Sequence, residues 1–105
     1  KYYIIYKKKV ELFLERGKQM ILHLGGGECV PSSSVLMILV YKEASANPTT
    51  GAFLKKFEKG ARKRVILDKE IKSIILTEKN GLREIFYSPI SSTTLAKRAG
   101  RMELE

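Results

Sequence analysis

Residues 72–88 read KSIILTEKNGLREIFYS, two apolar-rich runs around Asn80-Gly81. Asn and Gly both accept positive φ, which a two-residue type I′ turn requires at both central positions. The stretch therefore predicts a β-hairpin. Just upstream, Val65-Ile66-Leu67 reads as another apolar strand. Before it, Phe53, Leu54, Phe57 and Ala61 recur at helical spacing and predict a helix over 51–62, with Thr49 or Thr50 as N-cap. The run 35–41 is continuously apolar and reads as a buried strand. It is joined to the helix by the turn-rich connection KEASANPTTG. Downstream, PISSTTLAKRAG (89–100) gives a Ser91 or Ser92 N-cap, a short helix to about Ala99 and a Gly100 stop.

The remaining punctuation is MILHLGGGECVPSSS, residues 20–34. Alternation over 20–24 predicts a strand, and Glu28-Cys29-Val30 a second short one. Between them Gly25, Gly26 and Gly27 could suggest a phosphate cradle. A Walker loop, however, needs Gly-x-x-x-x-Gly-Lys-Ser/Thr running into a helix, and here Glu28 and a strand follow instead. The glycines therefore read as a structural turn, supplying unusual φ or close backbone approach, as Asn80 and Gly81 do in the hairpin. The order β-β-β-α-β-β-β-α predicts a single α+β domain over 20–105. Its sheet is small and mostly antiparallel, with a central helix and a short C-terminal helix.

Residues 1–19, KYYIIYKKKVELFLERGKQ, differ in character. Lys, Tyr, Ile and Phe have A/T-rich codons, and Glu15-Arg16-Gly17-Lys18 can be encoded by purines alone, just upstream of Met20. This resembles a translated ribosome-binding site and predicts that residues 1–19 are non-native upstream sequence or a disordered segment. The alternative is a genuine arm in which Val10, Leu12 and Phe13-Leu14 add an edge strand and Lys7-Lys8-Lys9 meet phosphate or a membrane surface.

The 105 residues carry 20 Lys+Arg against 11 Asp+Glu, a net charge of +9, and a net +5 remains without the first nineteen. Such a surface attracts phosphate backbones, anionic lipid or acidic proteins. One cysteine, Cys29, excludes an internal disulfide and fits a reducing cytoplasm. The longest apolar run is seven residues, far short of a membrane helix. His23 and Cys29 are the single His and Cys and match no zinc spacing. Cys29 reads as a small buried hydrophobe and His23 as an outward-facing strand residue. No cofactor, metal, catalytic group or small-molecule substrate is indicated, so the chain reads as a non-enzyme.

Two basic clusters stand out. Lys55, Lys56, Lys59, Arg62, Lys63, Arg64, Lys69 and Lys72 are opposed within 55–72 only by Glu58, Asp68 and Glu70. Lys97, Arg98 and Arg101 form a second group at the C-terminal helix. A lysine-rich helix face is ordinarily just solvated. As a binding surface it suits duplex phosphates, since no aromatic residues are interleaved for base stacking.

HLGGGECVPSSSVLMIL (23–39) and YSPISSTTLAKR (87–98) together resemble the bacterial extracellular-matrix (biofilm) regulators, the Rem family, in its RemB branch more than its RemA branch. The resemblance spans about residues 20–99 and places the customary start at Met20. It implies a small cytoplasmic α+β protein. By likeness to the RemA branch it also implies a DNA-binding transcriptional regulator of matrix genes working as a ring-like oligomer. The RemA pattern has a functional Arg where this chain has Ser34, and paired arginines where it has Asp68-Lys69-Glu70-Ile71-Lys72. The leading expectation is duplex DNA held as a homo-oligomer. Phosphates would be contacted by Arg62, Lys63, Arg64, Lys69 and Lys72, with Lys97 and Arg98 second. The alternative is an oligomeric adaptor acting through a protein partner, with Ile21, His23 and Leu95 at subunit contacts.

Overall fold

The Asn80-Gly81 turn forms as its residues dictate. In the computed structural model, which describes residues 4–7 and 21–103, φ is 52° at Asn80 and 81° at Gly81. Strands β6 (Ser73–Lys79) and β7 (Leu82–Ser88) pair antiparallel on either side, from Lys79 opposite Leu82 to Ser73 opposite Ser88. They form the centre of a five-stranded sheet of order β1-β4-β6-β7-β5, with β1 at Ile4–Lys7, β4 at Val35–Val40 and β5 at Ala61–Val65. β1, β4, β6 and β7 pair antiparallel, and only β5 joins in parallel, along β7. β4 and β5 thus run the same way on opposite sides of the hairpin. Their connection must cross a sheet face, and parallel crossovers carry helix. It holds α1 (Tyr41–Ala46) and α2 (Pro48–Lys59).

Both faces of β6 are covered, which is why Ser73 through Thr77 are all buried and the strand reads as a continuous rather than alternating run. On the helix-covered face, Ile74, Leu76, Ile85 and Leu39 pack with Leu54, Phe57 and Ala44. On the other, Ile75, Phe86, Ile38 and Val35 pack under a two-stranded ribbon and a helix. The ribbon is β2 (Ile21–Gly25) with β3 (Glu28–Pro31), and the helix is α3 (Ser92–Glu103). Leu22, Leu24 and Val30 of the ribbon point inward, with Leu95 and Ala99 of α3. This is the α+β architecture expected.

The glycine turn is structural. All three glycines have positive φ, and a Cβ on Gly26 would lie 2.8 Å from the Ile66 Cγ2. The ribbon end therefore sits too close to the 66–72 connection for any side chain at that position. The Ser88 hydroxyl, wholly buried, donates to the Leu24 carbonyl at 2.6 Å and ties the ribbon to β7.

Several boundaries differ from the sequence reading. The central helix starts at Pro48 and ends at Lys59, because Asn47, not Thr49 or Thr50, is the cap: its Oδ1 accepts from the Thr50 amide at 3.0 Å. Pro48 at the first helical position brings its φ already set. The strand expected at 65–67 lies at 61–65, where pairing with β7 recruits Ala61 and the three basic residues after it. β4 stops at Val40 and α1 follows, within the segment read as strand and turn. α3 runs through Gly100 to Glu103, since a helical glycine costs only about 1 kcal/mol. Its N-cap is Ser91, which accepts from the Thr94 amide at 3.1 Å. Of the segment set apart at 1–19, residues 4–7 form β1. Residues 1–3 and 8–19, Met20 and the strand considered at Val10–Leu14 lie outside the described residues.

Candidate functional site

β5 is an edge strand, and its sequence Ala61-Arg62-Lys63-Arg64-Val65 alternates across the sheet. Arg62, Lys63 and Arg64 therefore do not form one patch. Arg62 lies opposite Glu84 of β7 in the register, and its Nη1 donates to the Glu84 Oε2 at 3.5 Å. Arg64 turns to the same face, where it meets Glu28 at 3.2 Å and Glu84 at 3.8 Å. Lys63 points to the helix-covered face, 3.8 Å from Glu58 and 5.4 Å above the Tyr87 ring.

Each of the three basic side chains thus has a carboxylate within reach. All remain substantially exposed, the side chains of Arg62, Lys63 and Arg64 at 63%, 53% and 40%. Ion pairs in such high dielectric are worth about 0–1 kcal/mol. A phosphate can therefore take a carboxylate's place at little cost. Glu58 is engaged a second time, accepting from the Tyr87 hydroxyl at 2.5 Å. Partial burial first, and then this carboxylate, hold the Tyr87 phenol well above its ordinary range, so it stays protonated.

The other basic residues are spread further. Lys69 and Lys72 are exposed on the connection 66–72 and make no ion pair with a described residue. The Lys72 backbone is fixed between β7 and α1, its amide donating to the Ser88 carbonyl and its carbonyl accepting from the Tyr41 amide. Lys97 is exposed on α3, while the Arg98 guanidinium donates to the His23 carbonyl at 3.1 Å, linking α3 to the ribbon. Arg62, Arg64 and Arg98 share the ribbon side of the sheet. Lys63 shares the helix side with the exposed Lys55 and Lys56 of α2.

Other expectations need correction. Leu95 is fully buried against the ribbon and sheet, so it is not available for a subunit contact. Cys29 is exposed, because it lies opposite His23 on the outward face of the ribbon while Val30 takes the inward place. Among the described residues no three His, Cys, Asp or Glu side chains gather where a metal could be held. Ser34, at the place of the RemA-type Arg, is buried in a 3₁₀ turn and donates its hydroxyl to the Pro31 carbonyl at 2.7 Å. It offers no outward contact. Among the described residues no helix is long and apolar enough to cross a membrane.

Of the carboxylates that face the basic strand, Glu58 is visible in the sequence as an acid within the cluster, whereas Glu28 and Glu84 were missed. Glu84 is 22 residues from Arg62 and meets it only through the parallel β5–β7 register. Only a prior decision that β5 pairs with β7 could have paired them.

Compared with known proteins, the chain is 37% identical over 82 residues to "Extracellular matrix regulatory protein B" of Bacillus subtilis (strain 168), a match covering 76% of this chain and 90% of that protein. No protein-family model and no solved structure matches.

Proposed function

Because the chain belongs to the family of the extracellular matrix regulatory protein B, we propose that it is a non-enzymatic transcriptional regulator of extracellular-matrix genes. It works in the bacterial cytoplasm and contacts the phosphates of duplex DNA as a homo-oligomer. The relative's name supports the regulatory role. The DNA contact is supported by one observation above all: Arg62 and Arg64 stand side by side on one face of an open edge strand, exposed themselves and held by half-buried carboxylates that a phosphate can displace. Lys69, Lys72, Lys97 and Arg98 add positive charge around them, and Lys63 adds charge on the opposite face. A ring-like oligomer would repeat the pair and raise avidity without new contacts.

The test is fluorescence anisotropy of a labelled duplex with the full chain at several salt concentrations. Micromolar or tighter binding is expected at low salt, with log K falling by about 0.9 per log unit of salt for each phosphate neutralised. Folded protein that shows no binding at low salt overturns the reading. A protein partner captured after nuclease treatment would then carry the adaptor alternative.

A further inference from the structure

The ribbon does not reach the hairpin tip. Beyond the end of β3, the ribbon-side face of β6, β7 and β5 is left open, and a groove of about 620 Å³ lies there. That volume falls within the range of small-molecule sites, about 300–1,000 Å³. Its walls come from three separate stretches of chain: the end of β3 and the turn after it, residues 59–62 across the α2–β5 junction, and the hairpin around Asn80–Gly81.

Two kinds of side chain line it. One is cationic. Lys59 at the end of α2 and Lys79 at the end of β6 are exposed and make no ion pair with a described residue, and Arg62 lines the groove further along β5, opposite Glu84. Glu84 is the single carboxylate of the groove and is already shared by Arg62 and Arg64. Arg83 also borders the groove, but its guanidinium lies over the Phe57 ring and beside Glu78, on the helix side. The other is apolar, formed by Val30, Pro31 and Leu82, the last paired with Lys79 across the hairpin. Leu82 is 73% exposed, the most exposed large apolar side chain among the described residues.

An inorganic anion would satisfy the cations and leave the apolar wall wet. A purely apolar ligand would leave two ammonium groups without a counter-charge. We propose that the groove binds a nucleoside phosphate, its phosphates between Lys59, Lys79 and Arg62 and its ring against Leu82, Val30 and Pro31. This site does not depend on duplex binding, although Arg62 would be common to both.

The experiment is calorimetric titration of the full chain with adenosine diphosphate and, separately, pyrophosphate at low salt. Adenosine diphosphate is expected to bind saturably and more tightly than pyrophosphate. The double variant Lys59→Gln/Lys79→Gln should weaken it by about tenfold, as removal of charge-assisted contacts does. The charge-matched control Lys55→Gln/Lys56→Gln, on the helix side, should stay within about twofold. Leu82→Ser should weaken adenosine diphosphate and leave pyrophosphate unchanged. All these side chains are exposed, so the variants should fold, and circular dichroism checks that they do. Absence of saturable binding overturns the proposal. So does equal weakening by both lysine pairs, which would mean diffuse attraction to a basic chain. Pyrophosphate binding as tightly as adenosine diphosphate, or no effect of Leu82→Ser, overturns the assignment of the ring.

Discussion

The two faces of the central sheet are covered by different means. On one, the crossover helices α1 and α2 extend over the hairpin, and even the Arg83 guanidinium near its tip lies over the Phe57 ring. On the other, the ribbon and α3 seal Ile75 and Phe86 but stop short of the tip, leaving Arg62 and Glu84 beside an open groove. The same strands thus have one face given wholly to stability and one divided between stability and exposed charge. The difference originates in topology. A parallel β4-to-β5 crossover must span the sheet between them, whereas a two-stranded ribbon closed by a glycine turn covers only its own width.

The largest effects should come from the sealed parts of both faces. Phe86→Ala under the ribbon should cost about 3–5 kcal/mol in denaturant unfolding, and Leu54→Ala under α2 about 2–5 kcal/mol. A cost below about 1 kcal/mol for Phe86→Ala would mean that the ribbon does not seal its face. Next come the glycines that hold the ribbon in place. Gly26→Ala adds a clash with Ile66 to a left-handed backbone and should cost about 2–3 kcal/mol, whereas Gly27→Ala, with open space around it, should cost about 1 kcal/mol. Equal costs would show that the ribbon does not approach the 66–72 connection so closely.

Smaller effects should come from the charged edge. Glu84→Gln releases Arg62 and leaves Arg64 with Glu28 alone, so thermal stability should fall by less than about 1 kcal/mol while duplex affinity rises about two- to threefold. The helix side has its own titrating group. The folded protein holds the Tyr87 proton while the unfolded chain releases it above about pH 10, so stability should decline as pH rises through that range. Tyr87→Phe should remove a small part of the decline, read as a difference between two melting curves.

The sequence made some of this arrangement legible and hid the rest. Asn80-Gly81, the Gly25–Gly27 turn and the Ser91 cap are local devices whose backbone needs can be read from the residues themselves. β5 was displaced by several residues because Arg62-Lys63-Arg64 has no apolar pattern. Its strand character comes from pairing with β7. α1 was missed because Tyr41 continues an apolar run that the chain breaks for tertiary reasons, its amide bonding to the Lys72 carbonyl. The basic residues were visible as a cluster. Their division between two faces follows from strand alternation, and their carboxylate partners from long-range register. The groove depends on where the ribbon ends relative to the hairpin tip, which no local pattern encodes.

The most direct measurement compares two charge-matched double variants in the duplex anisotropy titration: Arg62→Glu/Arg64→Glu on the open side and Lys55→Glu/Lys56→Glu on the helix side. Both change net charge by the same amount on exposed side chains. The arginine pair should lose at least about tenfold in affinity and reduce the salt slope, while the lysine pair stays within about threefold of the parent. Equal losses from the two pairs would contradict the assignment of duplex contact to the open side of the sheet.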